Sequence, residues 1–329
     1  IEEIKDGHIL NLTNIINIIQ KSLNDIEKKI DFIFKNINVI TNLKDYECTN
    51  VSGFKKLNNS QINKDDISFI LNNIKSAIFK NEVNKSIIHI FNSKFNLDKV
   101  EMDNLPIGLF GNFYSHQLTF FLLNNNDVKN IKQIFNKCNL NVSRIILKSF
   151  AQGMSLINNN NNLETFFNID LRKNFSQISY FEKHSYRYSQ KFKFGTEIII
   201  NDISKVCSLS QNKVNLLLKE INFSVSFNDN EYLDKKYFDE NKFRKVRLNL
   251  IREVISARIR EIIDIFLFKN TLLKNFINNK KVFINIEDEI FKINLKHILL
   301  ENFEDLIEPT INFQTQDELF NSCISSAEL

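Results

Sequence analysis

Six glycines and two prolines serve all 329 residues, and tryptophan is absent. So little punctuation excludes a collagen-like repeat and a glycine- or proline-rich linker protein. Alanine is scarce too, at Ala77, Ala151, Ala257 and Ala327. The scarce residues have GC-rich codons, whereas the abundant Ile, Asn, Lys and Phe have AT-rich ones, so an AT-rich genome accounts for the bias. A glycine that persists against that bias is expected to have a backbone reason. The asparagine runs at 124–126 and 158–162 read as drift in loops. No stretch of about 18 uncharged apolar residues occurs, so no membrane-spanning helix is expected. The nearest approach, Glu261 to Phe268, is interrupted by Asp264 and bounded by Lys269. The four cysteines (Cys48, Cys138, Cys207, Cys323) form no CxxC pair, which argues against a disulfide framework and a zinc site and for a reducing cytoplasm. The five histidines are scattered, and no metal site is expected. A net charge of +4 is too small to argue for nucleic acid. The chain opens on Ile1-Glu2-Glu3, with no basic-then-apolar start, and reads as a fragment without a signal peptide.

What is present is a soluble-protein balance of 43% hydrophobic and 25% charged residues, at a length that suggests two domains at about 150 residues each. Leu12, Ile15, Ile16, Ile19, Leu23, Ile26 and Ile30 recur at helical spacing and predict a helix over 12–30. Asn63 with Asp66 three residues on is a variant capping box, opening a helix whose stripe is Ile67, Ile70, Leu71, Ile74 and Ile78. Strands are expected near 33–40, 86–91, 112–122 and 142–147. Leu105-Pro106-Ile107-Gly108-Leu109-Phe110-Gly111 holds two of the glycines and one proline, and is therefore a defined turn. Three or four strands follow over 165–193, then helices near 200–206 and 211–220. Strands at 222–227 and 243–248 and a long helix over 249–277 complete the second block, before a mixed tail. Strands and helices mixed in two blocks predict α/β or α+β layers.

Several of these pieces, in this order, resemble FtsA, the actin-like bacterial cell-division family. They are Gly7-His8-Ile9; Ile62-Asn63-Lys64-Asp65-Asp66-Ile67; Ile87-Ile88-His89-Ile90 with Leu97-Asp98; and Pro106-Ile107-Gly108-Leu109-Phe110-Gly111. Gly195 with Asn201-Asp202-Ile203, and Ile255 to Ile262, complete the series. The turn at Pro106 to Gly111 is the most telling, because it belongs to the small extra subdomain that separates FtsA from ordinary actins. The resemblance implies a two-half actin-like α/β fold of the ribonuclease H-like kind. Its parts would be a first subdomain at 1–52 and 122–157, the small insert at 53–121, a second actin-like subdomain at 158–205 and 280–329, and an outer subdomain at 206–279.

The resemblance also implies ATP with magnesium, held by glycine-rich turns whose bare backbone approaches phosphate. Here Asp170, Ser176, Gly195 and Asp202 are what remains of that site. The family's second phosphate turn aligns with Asp170 to Gln177 and has lost both glycines, to Arg172 and Asn174. A double glycine has become Gly195-Thr196, and the family's threonine Ile200. The helix pair that holds the nucleoside has become Asn215 and Leu218, and the last glycine turn Ile286-Glu287, where a carboxylate would repel phosphate. Weak or absent nucleotide binding is expected, with Arg172 and Lys173 able to replace part of the lost donors by charge. No catalytic carboxylate stands out, so the chain reads as a non-enzyme.

The segment from Lys242 to Arg260 holds seven basic residues against Glu253 alone. Arg258 lies on the otherwise apolar line Ile251, Ile255, Ile262 and reads as structural, with Glu261 at i+3 as its partner. Lys245, Arg247 and Arg252 are the binding candidates. The FtsA resemblance implies their ligand, the acidic C-terminal tail of the tubulin-like division protein FtsZ. It further implies self-association into actin-like polymers, and a cytoplasmic protein held at the inner membrane of the division site by a C-terminal helix beyond Leu329. The alternatives are an actin-like pilus-assembly adaptor and an active actin-fold ATPase.

Overall fold

In a computed structural model, the chain is described at residues 4–5, 8–9, 11–43, 45–160, 162–238, 243–273, 281–286, 296–304 and 309–313. These fall into two units. One comprises the described residues up to Asn162 together with Glu182–Tyr188, and the other comprises Leu163–Phe181 and those from Ser189 on.

The first unit starts with the short strands β1 (Ile4–Lys5) and β2 (His8–Ile9), then α1 (Leu12–Ile30). The Asn11 side chain accepts from Asn14 N–H at 3.1 Å, and Asp31 ends the helix in the left-handed region. Ile15 and Ile16 are its buried anchors, as the spacing predicts. β3 (Asn36–Thr41) leads to β4 (Tyr46–Gln61), a strand of 16 residues that the sequence does not announce. The capping box opens α2 (Lys64–Asn81): Asp66 N–H donates to Asn63 Oδ1 at 3.0 Å and Asn63 N–H to Asp66 Oδ2 at 2.8 Å. β5 (Lys85–Leu97), β6 (Val100–Met102) and β7 (Phe110–Asn124) complete an antiparallel sheet of order β4-β7-β5-β6. α2 packs on this sheet through Ile70, Ile74 and Ile78, against Leu57, Tyr114, Leu118 and Phe120. Burying each such side chain is worth about 1.5–3 kcal/mol.

Three glycines have physical reasons here. A Cβ on Gly53 of β4 would sit 2.5 Å from Ile70 Cγ2, so the bare backbone lets α2 lie close. One on Gly111 would sit 2.4 Å from Leu97 Cδ1. Gly108 has φ +89°, and its N–H donates to Ile62 carbonyl O at 2.9 Å, which locks the 105–111 turn against β4. After β7 come α3 (Asn125–Asn136), β8 (Asn141–Leu147), which pairs in parallel with β3, and α4 (Lys148–Asn159). The asparagine run at 124–126 is not loop drift. Asn124 caps α3, its Oδ1 accepting from Asn126 N–H at 3.0 Å.

The second unit has a five-stranded sheet of order β11-β10-β9-β12-β13. Its strands are β9 (Phe166–Leu171), β10 (Ser176–Glu182) and β11 (Ser185–Phe192), followed after the helices by β12 (Lys281–Ile286) and β13 (Pro309–Phe313). The helices are α5 (Glu197–Cys207), α6 (Gln211–Glu220), α7 (Leu248–Ile263) and α8 (Lys296–Glu304). β9 and β10 are antiparallel, whereas β12 runs parallel to both β9 and β13. β9 is buried at every position, as a central strand covered on both faces must be. The expected strands at 222–227 and 243–248 are instead irregular chain with a single bridge, Tyr232 to Arg247. Among the described residues no strand lies beside them to satisfy their backbone, and they are held by buried Phe223 and Val246. α7 is shorter than expected, because a π-helical turn at Asp264–Phe268 ends it.

Candidate functional site

The second phosphate turn of the family resemblance is the β9–β10 hairpin. β9 carries Asp170 into the sheet core, where it is 6% exposed. Two residues on, Arg172 is 9% exposed, and its guanidinium folds back onto the same carboxylate. Nε and Nη2 donate to Asp170 Oδ2 at 2.9 and 2.8 Å. Arg172 also stacks over the Phe175 ring at 5.1 Å, and its N–H closes the turn on Phe175 carbonyl O at 3.1 Å. Both lost glycine positions therefore carry side chains, and one of them neutralises the turn's acid from within.

Gly195 precedes α5 and packs against this turn. A Cβ there would lie 1.9 Å from Arg172 carbonyl O and 2.6 Å from Lys173 carbonyl O, so glycine is the residue that fits. The contact places Thr196 N–H on Arg172 carbonyl O at 2.8 Å and Glu197 N–H on Lys173 carbonyl O at 3.0 Å. These are the first donors of α5, the groups that would otherwise face an anion. Ser176 Oγ donates to Phe194 carbonyl O at 2.7 Å. Asp170, Ser176 and Gly195 thus meet around one turn and are bonded or pressed to it.

Asp202 does not join them. It lies farther along α5 and pairs with Arg258 Nε of α7, while Arg258 Nη1 donates to Glu261 at 2.6 Å. The i+3 partner was readable in the sequence; Asp202, 56 residues away, was not. Of the two nucleoside-helix positions, Leu218 is fully buried on α6. Gly7, Lys242 and Glu287 lie outside the described residues. An adenine nucleotide with magnesium does not fit the hairpin turn. The α5 amide donors are bonded to carbonyls, Asp170 Oδ2 is held by a guanidinium, and Glu197 adds negative charge at the helix start. Thr196 Oγ1 and Asp170 Oδ1 are buried without a partner among the described residues, which marks the turn as polar space the chain has filled incompletely.

The basic candidates lie where α7 begins. Arg247 is exposed and precedes the helix, which has no acidic residue in its first turn and no side-chain cap. Lys245 is exposed and lies over the Tyr232 ring at 4.3 Å. Arg252, one turn in, differs: its Nη2 donates to Glu301 at 2.6 Å and its Nε is buried without a partner among the described residues. Phe243 and Leu250 in the same segment are 48% and 40% exposed. Positive charge and apolar surface therefore alternate along 243–250.

No protein-family model matches the chain. Among curated proteins it is similar to the cell division protein FtsA of Buchnera aphidicola subsp. Acyrthosiphon pisum, 24% identical over 217 residues, covering 66% of this chain and 51% of that protein. The FtsA of Buchnera aphidicola subsp. Schizaphis graminum is 23% identical over 266 residues, covering 80% and 63%. Among solved structures, the PilM-PilN type IV pilus biogenesis complex aligns at a TM-score of 0.55 and 8% identity, over 99% of this chain and 87% of that one. The chain is an FtsA-like protein with an actin-like fold. It spans between half and two thirds of the length of those two FtsA relatives. The pilus-complex likeness, at such low identity, carries the fold alone. Among the described residues of this FtsA-like chain, no helix is long and apolar enough to cross a membrane.

Proposed function

We propose that this chain is a cell-division adaptor of the FtsA kind that links the FtsZ ring to the inner membrane and does not depend on tight nucleotide binding. The Arg172–Asp170 pair carries the second half of that reading. A buried guanidinium bonded twice to the carboxylate supplies in cis the positive charge that a phosphate turn otherwise takes from its ligand's metal. The FtsA names of the curated relatives support the first half. The docking surface in this reading is the start of α7: Lys245 and Arg247 take the carboxylates of the acidic FtsZ tail, and Phe243 and Leu250 take its apolar residues. Arg252 supports the surface from its pair with Glu301. Arg258 and Glu261 are structural, tying α7 to α5.

The test is a fluorescence titration of the full-length protein with the FtsZ tail peptide of the same organism. Arg247→Glu with Lys245→Glu is expected to weaken binding about tenfold, and more so at low salt. Equal binding by wild type and variant would remove the site. Binding by neither would remove the FtsZ reading in favour of a pilus-type partner. Calorimetry with ATP, run alongside, is expected to show no submicromolar affinity. A tight isotherm would restore the ATPase reading.

A further inference from the structure

A cavity of about 530 Å³ opens in the first unit where β5 of the small sheet comes beside β8 of the β3–β8 pair. That is the volume of a small-molecule site. Val128 and Lys132 of α3 and Phe150 of α4 complete its wall, and all its described lining residues lie in that one unit. Both strands are bulged where they line it. In β5, Ile87 pairs with Leu122 and His89 with Phe121, which leaves Ile88 as the extra residue. In β8, Val142 pairs with Ile37 and Arg144 with Asn38, which leaves Ser143 as the extra one. Bulges re-aim side chains, and they gather beside functional sites. The first puts His89 opposite Phe121, where its Nε2 accepts from Leu147 N–H at 3.1 Å. The second leaves Ser143 and Arg144 both exposed, between buried Val142 and Ile145.

The apolar part of the wall is Ile88, Val128, Val142, Ile145 and Phe150. The polar part offers donors. Arg144 and Lys132 have no ion-pair or hydrogen-bond partner among the described residues, and neither has the Ser143 hydroxyl. Lys132 stands at i+4 from Val128, on the same face of α3. Lys85, next to Ser86 of the wall, is by contrast held by Glu47 and Glu82. His89 uses Nε2 as an acceptor, so its ring proton sits on Nδ1. That atom is neither partnered nor sealed in the core among the described residues. Burial pushes the ring down to about 4, so at neutral pH His89 is an uncharged donor. No Asp or Glu is among the described lining residues.

We infer that this cavity binds a small amphiphilic anion, a carboxylate or phosphate carried on an apolar body. Arg144 and Lys132 take the headgroup, with Ser143 and His89 as neutral donors, and the apolar body lies on Ile145 and Phe150. Exposed cations alone would not carry this. Two bulged walls, a histidine donor fixed by a backbone amide, and the lack of any acid converge on one cavity. A ligand seated there touches β5 and β8 at once, and so ties the small sheet to the β3–β8 pair. The α7 surface belongs to the other unit, so this site and the FtsZ reading stand or fall separately.

The experiment is calorimetry of the full-length protein with octanoate, octyl phosphate, octanamide and inorganic phosphate. The first two carry an anion on an apolar chain and differ in headgroup, the third lacks the charge, and the last lacks the chain. Octanoate or octyl phosphate is expected to bind, the tighter of them naming the headgroup, and the other two probes at least about tenfold more weakly. Arg144→Gln is expected to lower the affinity about tenfold and Lys132→Gln severalfold, while Arg144→Lys keeps most of it. Both side chains are exposed, so these variants fold. In the NMR spectrum, amide shifts on adding octanoate should fall on 86–89 and 142–146, and Ser143→Trp, which sets an indole at the wall, should abolish them. No binding of either octyl probe at millimolar concentration, equal binding of octanamide, an affinity untouched by Arg144→Gln, or shifts elsewhere in the chain would each overturn the assignment. So would an acidic peptide that binds this wall where neither octyl probe does.

Discussion

The small sheet of the first unit and the hairpin turn of the second solve burial in opposite ways. The small sheet buries mostly neutral groups: Ile70, Ile74 and Tyr114 under α2, the ring of His116 at only 2% exposed, and the half-buried ring of His89 packed on Phe121 and Phe150. His89 Nε2 accepts from Leu147 N–H at 3.1 Å, and His116 Nε2 pairs with Asn92 Oδ1 at 3.1 Å. At the hairpin the second unit buries formal charges, a carboxylate and a guanidinium two residues apart. A neutral core is indifferent to salt and sensitive to acid. A buried ion pair tolerates neither partner's removal, because the survivor is left charged in low dielectric. The hairpin turn thus supplies its own counter-charge from within.

The largest expected effect follows from that contrast. Arg172→Ala leaves Asp170 buried without its guanidinium partner, and should cost about 3–5 kcal/mol of stability. The double change Arg172→Leu with Asp170→Asn, which removes both charges, should recover most of the loss. Urea unfolding of the three proteins checks this. A single variant as stable as wild type would show that the pair contributes nothing to the hairpin.

Acid should act on the other unit. Burial pushes His89 and His116 down to about 4, from an ordinary value near 6.5. The folded form resists protonation, so below pH 6.5 the unfolded chain binds more protons and stability falls as pH drops toward 4. The upper bound is about 3 kcal/mol per histidine. The second unit's one described histidine, His297, is exposed. Hydrogen exchange at pH 7 and at pH 4.5 should therefore show the β4–β7 sheet losing protection before β9 and β12. Simultaneous loss in both units would dissolve the contrast.

Much of this arrangement was legible in the residues, and the exceptions are instructive. The Asn63–Asp66 box and the 105–111 turn were readable because both are local, with partners within a few positions. β4 was not, because Tyr46 to Gln61 has neither clean alternation nor a β-branched run. It is a strand because β7 pairs with it and Gly53 admits α2, and both are tertiary facts. The segments 222–227 and 243–248 erred the other way: the first alternates and the second carries apolar residues at 243, 246 and 248, but among the described residues no strand lies beside them. At the candidate site, the presence of side chains at Arg172 and Asn174 could be read from the sequence. That Arg172 would turn inward onto Asp170 rather than outward to a phosphate could not, since that depends on the depth of β9 in the sheet.

The smallest expected effects sharpen the contrast, because they use glycines from both units. Gly195→Ala directs a methyl at two backbone carbonyl oxygens, which are fixed by the bonds to Thr196 and Glu197. Backbone must move, breaking those bonds, and the cost should be about 2–3 kcal/mol. Gly53→Ala directs its methyl at the branched ends of Ile70 and Ile74, which can turn or slide along α2. Its cost should be about 1–2 kcal/mol, as for other overpacked cores. Adding Ile70→Val, which trims the side chain in the way, should return part of the loss at Gly53, while no side-chain trimming should help at Gly195. Denaturant midpoints of the two alanine variants and of the Gly53→Ala/Ile70→Val pair decide the matter. Equal, unrescued losses at both glycines would mean that the small sheet is as rigid as the turn, and that its neutral packing has none of the give ascribed to it.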